Sequence, residues 1–162
     1  MGSPRLEKLC DSIELSVKDS CKGRISVSFS GGIDSTLIAF LAQKYCDVEL
    51  IAVGIPDAHD LKAARSASKL IGMELKVIEV EPKDMITEGM EMQKCLSLSS
   101  IEVEFMLPFW IAAKNSDNSI LMCGQGADEL FGGYARFRTE DAEYDLEKEV
   151  SDLVNRLPDR EN

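Results

Sequence analysis

Apolar positions along this chain follow two spacings, one helical and one extended. The opening segment has an apolar residue every three or four positions, which predicts an amphipathic helix. These residues are Leu6, Leu9, Cys10, Ile13 and Val17. Beyond Gly23, apolar residues alternate with small polar ones from Ile25 to Phe29, which is the pattern of a strand.

The same order of strand and helix repeats along the rest of the chain. We predict further strands over residues 48–55, 75–80 and 119–123. We predict helices over residues 35–46, 58–71, 82–94, 100–114 and 141–156. Gly72 suits the end of one helix and Pro82 the first turn of the next, whereas Pro108 is expected to bend or restart its helix.

Alternating strands and helices indicate an α/β protein. The predicted architecture is a three-layer sandwich of the Rossmann-like type, with a mostly parallel sheet between helices. Ligands of such sheets lie beyond the carboxyl ends of the strands. Two glycine-rich segments, residues 30–35 and 124–133, follow the first and fourth predicted strands, so both are candidate ligand-binding loops.

Composition excludes several classes of function. The chain has 162 residues, enough for one domain, and a formal net charge of −11, which argues against a protein that binds nucleic acid. No apolar stretch is long enough to cross a bilayer, and no export signal opens the chain. We therefore expect a cytoplasmic protein without a membrane partner.

Histidine and cysteine usage narrows the chemistry further. His59 is the only histidine, which excludes zinc sites built from several histidines. The five cysteines are odd in number and widely spaced, without a C-x-x-C pair. We therefore predict no disulfide scaffold and expect each cysteine to be a small buried side chain.

Residues 30–35, Ser-Gly-Gly-Ile-Asp-Ser, join the first strand to a helix. Gly31 and Gly32 let the backbone approach a ligand, and the amides that open the helix lack partners within it. With the hydroxyls of Ser30 and Ser35, these amides suit phosphate or pyrophosphate. The carboxylate of Asp34 would repel a bound anion, so its presence here is explained if Mg²⁺ lies between them. The alternative is a tight turn in which Asp34 caps the helix.

Two segments carry a resemblance to a known family. The hexapeptide S-G-G-x-D-S at residues 30–35 resembles the pyrophosphate-binding signature of the N-type ATP pyrophosphatases. Residues 124–134, G-Q-G-A-D-E-L-F-G-G-Y, resemble the G-x-G-[AS]-D-E-[LV]-F-G-G-Y segment of asparagine synthetase C-terminal domains. The resemblance extends from about Ile25 to Tyr134 and implies an adenine nucleotide alpha hydrolase-like fold.

The resemblance also implies an activity and its residues. Members of this family bind ATP and Mg²⁺ and cleave ATP to AMP and pyrophosphate, because they adenylate a carboxylate, such as that of aspartate, for amide formation. The implied catalytic residues are Asp34, Asp128 and Glu129, and Asp34 and Asp128 hold the metal. The implied nucleotide-binding residues are Phe29, Ser30, Gly31, Gly32, Asp34, Ser35, Val53, Gly54, Gly124 and Gln125.

Three departures from the family pattern limit these implications. Gly2 replaces the cysteine of a glutaminase domain, so we expect free ammonia or a separate ammonia donor. Gln125 stands where amide-forming relatives usually have an acid, and it offers hydrogen bonds but no general base. The chain ends at Asn162, about where a lysine-bearing helical lobe begins in the family. We predict an N-terminal helix over residues 1–22 and an ATP pyrophosphatase domain over 23–162. Two explanations for the lysine-bearing lobe stay open: the chain is a fragment, or it is a compact member that supplies the charge otherwise.

Other interpretations stay open. Gln125 and the short C-terminus favour a catalytically inactive module that binds ATP or AMP and regulates or partners a separate subunit. A relative that adenylates a tRNA base is disfavoured by the dispersed cysteines and the acidic charge. One apolar cluster is predicted to lie in the core. If this same cluster is exposed, it would form the contact between two chains of a homodimer. Its members are Met90, Phe105, Met106, Phe109 and Trp110.

Overall fold

The computed structural model describes residues 4–134, Lys148 and residues 150–152. The chain divides into two compact units, Met1–Cys123 and Gly124–Asn162. Of the helix predicted over residues 141–156, Lys148 and residues 150–152 are helical, and the rest lies outside the described residues.

Strands and helices alternate in the first unit, and the predicted order of elements is confirmed. The strands are β1 (Ile25–Ser28), β2 (Val48–Gly54), β3 (Leu75–Glu79) and β4 (Leu121–Met122). The helices of this unit are α1 (Pro4–Ser20), α2 (Ile33–Ala42), α3 (His59–Ile71), α4 (Pro82–Cys95) and α5 (Ser100–Lys114). A short helix, α6 (Ala127–Phe131), lies in the second unit.

Within the described residues, the sheet contains four parallel strands in the order β3-β2-β1-β4. Helices α2 and α3 connect neighbouring strands, whereas α4 and α5 carry the chain from β3 at one edge to β4 at the other. The strand order therefore reverses direction at β1. The carboxyl end of β1 is the position where sheets of this kind bind ligands.

Two apolar clusters cover the two faces of the sheet. Leu50 and Ala52 of β2 belong to the cluster that packs under α2 and α3. Val53 belongs to the other cluster, where it packs with Leu107 and Ile111 of α5. Neighbouring residues of a strand point to opposite faces, so the two clusters lie on opposite sides of the sheet. The predicted three-layer α/β sandwich is confirmed.

Local signals explain where the helices begin and end. Gly72, with φ at 71°, ends α3 and donates its amide to the carbonyls of the preceding turn, as predicted. Ser99 and Glu102 form a reciprocal capping box at the start of α5. The expectation for Pro108 is wrong in part, because α5 continues through it as one helix. Pro108 is exposed, so the carbonyl that loses its amide partner can bind water.

Among the described residues, no single helix is long and apolar enough to cross a membrane. Helices α4 and α5 reach the required length and composition only as a pair bent by 107°. Leu107 and Ile111 of α5 are buried against the sheet.

Two burial predictions need correction. All five cysteines are free, as expected, but Cys10 and Cys95 are exposed rather than buried. Trp110 packs against a core cluster, whereas Met90, Phe105 and Met106 are exposed. Helical spacing indicates that a face is apolar, but it does not say whether another element covers that face.

Candidate functional site

The loop that follows β1 is anchored by its first residue. The amide of Phe29 donates to the carbonyl of Ile51 at 2.8 Å, which extends the pairing of β1 with β2. The Phe29 ring is 2% exposed and belongs to the core cluster on the α2 side of the sheet. The ring therefore holds the loop to the core, and its predicted contact with adenine remains a prediction.

Gly31 is the tightest point of the loop. Its φ is +78°, and a Cβ added there would lie 2.7 Å from backbone atoms of Ala63 and Ala64 in α3. A side chain at this position would meet both backbone strain and steric overlap, so only glycine fits. The loop therefore packs directly against the backbone of α3.

The two serines of the loop are joined to each other. Ser30 Oγ lies 3.2 Å from Ser35 Oγ and accepts the amide of Gly32, also at 3.2 Å. Ser35 Oγ lies 3.3 Å from the Gly32 carbonyl, to which it donates, and the residue is only 4% exposed. These hydrogen bonds connect the first and last residues of the turn to each other and to Gly32. Ser30 lies before α2, and Ser35 lies in its first turn, because the helix begins two residues earlier than predicted.

The first turn of α2 is open to a ligand. Gly32 occupies the position before the helix, and no side chain caps it. Asp34 lies inside the first turn and is exposed, so it does not act as the cap that the alternative interpretation requires. Unpaired amides and the positive end of the helix dipole together favour an anion. An exposed carboxylate beside an anion site suits an intervening cation with hard oxygen ligands, such as Mg²⁺.

The end of β2 supplies two further predicted residues. Val53 is half-buried and packs on the α5 side of the sheet. A Cβ added at Gly54 would lie 3.0 Å from Cγ of Leu61, so α3 packs closely on this strand end. The Gly54 carbonyl accepts the amide of Val80 at 2.9 Å. Close packing against Leu61 is therefore one reason for a glycine at position 54, in addition to its predicted place near the nucleotide.

The remaining predicted residues lie in the second unit. Gly124 is half-buried and Gln125 is exposed. Gly126 and Gly132 flank α6 with φ of 91° and 67°, and this left-handed backbone explains the need for glycine there. Asp128 is exposed, and Glu129 Oε1 accepts a hydrogen bond from the hydroxyl of Tyr134 at 2.6 Å.

The structure thus brings Ser30, Gly31 and Gly32, in the loop before α2, together with Asp34 and Ser35, in the first turn of α2. Within the described residues there is no group of three or more histidine, cysteine, aspartate or glutamate side chains that could hold a metal. A magnesium ion needs only one or two protein carboxylates when phosphates and water complete its shell. The site that Asp34 and Asp128 are predicted to share remains a prediction.

Sequence reasoning missed two sets of contacts. Ala63 and Ala64 are the surface on which Gly31 rests, and their small side chains in the sequence D-L-K-A-A are a signal of close approach. The hydrogen bond from Tyr134 to Glu129 has no such signal. The two residues are five positions apart, and Gly132 ends the helix between them, so helical spacing does not predict their contact.

The parallel sheet, its reversal at β1 and the open helix behind the loop define an α/β Rossmann-like protein of the PP-loop type. The family described as asparagine synthase matches residues 8–161, and this chain belongs to that family. The match covers both glycine-rich segments.

Individual relatives agree with the family. The Methanocaldococcus jannaschii protein named "Putative asparagine synthetase (glutamine-hydrolyzing) 1" is 34% identical over 140 residues, which are 82% of this chain and 26% of that protein. The glutamine-hydrolyzing asparagine synthetase of Homo sapiens is 27% identical over 147 residues, with 83% and 26% covered. The chain thus spans about a quarter of the length of these relatives.

A solved structure shares the fold. The NMN synthetase from Francisella tularensis superimposes with a TM-score of 0.52 and 18% sequence identity. The match covers 83% of this chain and 60% of that one. At this level of identity, the likeness concerns the fold alone.

Proposed function

We propose that this chain is the ATP-cleaving part of a cytoplasmic ligase of the asparagine synthetase type. A carboxylate oxygen of the substrate attacks the α-phosphorus of ATP, the bond between the α- and β-phosphates breaks, and pyrophosphate leaves. Ammonia then attacks the acyl carbon, AMP leaves with the former carboxylate oxygen, and the amide forms with loss of a proton. The observation that carries this proposal is the uncapped start of α2 at Gly32 and Ile33, within residues 30–35.

The loop of residues 30–35 is assigned to the pyrophosphate. Free amides and the helix dipole stabilise phosphate oxygens, and they do so most when they need no rearrangement. Gly31, held against α3, and the contact between Ser30 and Ser35 supply that rigidity. The net charge of −11 does not prevent binding, because salt limits its reach to about 8 Å under physiological conditions.

Asp34 and Asp128 are assigned to the magnesium ion. Asp34 is an exposed carboxylate in the first turn of α2. Asp128 is an exposed carboxylate at the start of α6, within the segment that the family match covers. Carboxylate oxygens are ligands that Mg²⁺ prefers. When bound, the ion would offset the charge that develops on the departing pyrophosphate.

The other reactants are assigned from family membership and the sheet topology. Residues at the ends of β1 and β2, with Gly124 and Gln125, are assigned to the adenosine. Aspartate is the first carboxylic acid to test, because the chain belongs to the asparagine synthase family. Free ammonia or a separate ammonia donor supplies the nitrogen. Association of two chains as a homodimer stays a prediction.

Binding of Mg-ATP to single variants tests the metal assignment. Asp34→Asn and Asp128→Asn each remove one charge with little change of shape. We expect each to weaken the affinity for Mg-ATP at least about tenfold, which is the effect expected from the loss of one charged ligand. Isothermal titration calorimetry measures the affinity. Asp84→Asn is the matched control, because Asp84 is exposed in the first turn of α4 and should leave binding unchanged.

If both Asp34→Asn and Asp128→Asn bind Mg-ATP like the parent, the metal assignment is wrong. Turnover is tested separately by the exchange of labelled pyrophosphate into ATP across a panel of amino and organic acids. We expect exchange that depends on one carboxylic acid, with aspartate tested first. Binding of Mg-ATP without exchange for any acid would instead support the module without turnover that Gln125 favours.

A further inference from the structure

The two carboxylates at the start of α6 have different surroundings although they are neighbours in sequence. Asp128 is exposed, and the described residues give its carboxylate no hydrogen-bond donor. Glu129 is half-buried, and its Oε1 accepts the hydroxyl of Tyr134 at 2.6 Å. Successive side chains of a helix point in directions about 100° apart, so the two carboxylates face different directions.

The chain after α6 folds back on the helix. Gly132, with φ of 67°, reverses the direction, and the amide of Gly133 donates to the carbonyl of Asp128 at 3.0 Å. A Cβ added at Gly133 would overlap Oδ1 of Asp128, so the absence of a side chain there leaves room for that carboxylate. Tyr134, two residues after Gly132, then donates its hydroxyl to Glu129.

We infer that Glu129 and Tyr134 form a latch that closes this turn and positions Asp128, and that Glu129 is a positioning residue rather than a group that acts on ATP. The inference deepens the proposed function, because Asp128 is the ligand that the latch presents. A hydrogen bond from a hydroxyl to a carboxylate is short and strong, which suits a structural closure. The charge of Glu129 is engaged within the turn, whereas that of Asp128 remains available.

The latch predicts a specific order of effects in pyrophosphate exchange. Tyr134→Phe and Glu129→Ala each open the latch, so each should raise the KM for Mg-ATP by a similar factor, about three- to tenfold for one lost hydrogen bond. The double variant should be no worse than either single one. Glu129→Gln keeps an acceptor oxygen but loses the charge, and it should restore most of what Glu129→Ala loses. Asp128→Asn should be the most damaging change.

The outcomes separate the latch from the proposed function. If Glu129→Gln is as damaging as Asp128→Asn while Tyr134→Phe behaves like the parent, Glu129 acts through its charge and the latch is refuted, although the proposed function stands. Additive effects of Tyr134→Phe and Glu129→Ala would refute it too. If Asp128→Asn changes neither binding nor exchange, Asp128 is not the metal ligand and the latch fails, whereas the proposed ATP cleavage is tested separately by exchange in the parent protein. Urea midpoints of all variants identify losses caused by unfolding.

Discussion

At the scale of single residues, the glycines of this chain meet two different demands. Gly31 and Gly72 have almost the same φ, +78° and +71°. A Cβ at Gly72 would meet nothing within 4 Å, whereas a Cβ at Gly31 would meet the backbone of Ala63 and Ala64 at 2.7 Å. The sequence predicts both turns from turn chemistry, but only the structure shows that one of them is also a contact between elements.

This difference predicts unequal costs of alanine. Gly72→Ala should lose about 1–2 kcal/mol of unfolding free energy, the strain of a left-handed alanine. Gly31→Ala should lose that amount and roughly 1–3 kcal/mol more, because the loop must move away from α3. Urea denaturation measures both. Equal losses would show that the loop does not rest on α3 as described, and Mg-ATP binding should fall for Gly31→Ala alone.

At the scale of elements, α4 and α5 are joined by a polar clamp. Glu88 of α4 accepts the indole N–H of Trp110 at 2.9 Å and forms an ion pair with Lys114 at 2.8 Å, both from α5. The ammonium of Lys114, helped by Trp110, holds the pKa of Glu88 below its usual range. Glu88 and Glu91 in turn raise the pKa of Lys114. Periodicity predicts both helices, but not which side chains join them.

The clamp predicts how stability depends on pH. Because the pKa of Glu88 is lower in the folded protein, its contribution is present above the unfolded carboxyl pKa of about 4.3 and is lost as pH falls through the folded value. Because the pKa of Lys114 is raised, its contribution is present below about pH 10.4 and is lost at higher pH. Between these limits the clamp is complete.

We expect Glu88→Gln to lower the unfolding free energy at pH 7 by about 0.5–1 kcal/mol, as for a partly exposed ion pair. The difference in unfolding free energy between Glu88→Gln and the parent should disappear as the pH falls below about 4. Glu91→Gln is the matched comparison, because its side chain is 52% exposed against 25% for Glu88, and its effect should be smaller. Thermal unfolding from pH 3 to 8 provides the data, and a pH-independent difference would contradict the clamp.

At the scale of the whole molecule, α1 packs against the sandwich with little of its surface buried. Val17 is its only buried residue within the described part of the chain, while Leu6 and Leu15 remain more than half exposed. At its end, Cys21 and Cys46 both direct their thiols at the carbonyl of Ala42 in α2. The two cysteines therefore report whether α1 is docked.

Thiol labelling tests this attachment. Burial, together with the neighbouring Cys21 thiol, raises the pKa of Cys46 to about 12, so almost none of it is thiolate at neutral pH. We expect a maleimide reagent to label exposed Cys10 and Cys95 quickly, and Cys46 at least about a hundredfold more slowly. Peptide mass spectrometry follows each site. Labelling of Cys46 as fast as Cys95 would mean that α1 is not docked, and in urea all five cysteines should react.

The sequence by itself determined the order of strands and helices, the parallel α/β architecture and the loop of residues 30–35, because apolar spacing and turn chemistry are local properties of the chain. It also placed Gly72 at a helix end for the same reason. Tertiary structure alone decided that Gly31 rests on α3, that Phe105 is exposed and that Tyr134 holds Glu129. These features depend on which distant or non-periodic residues meet, and packing settles that only once all elements are in place.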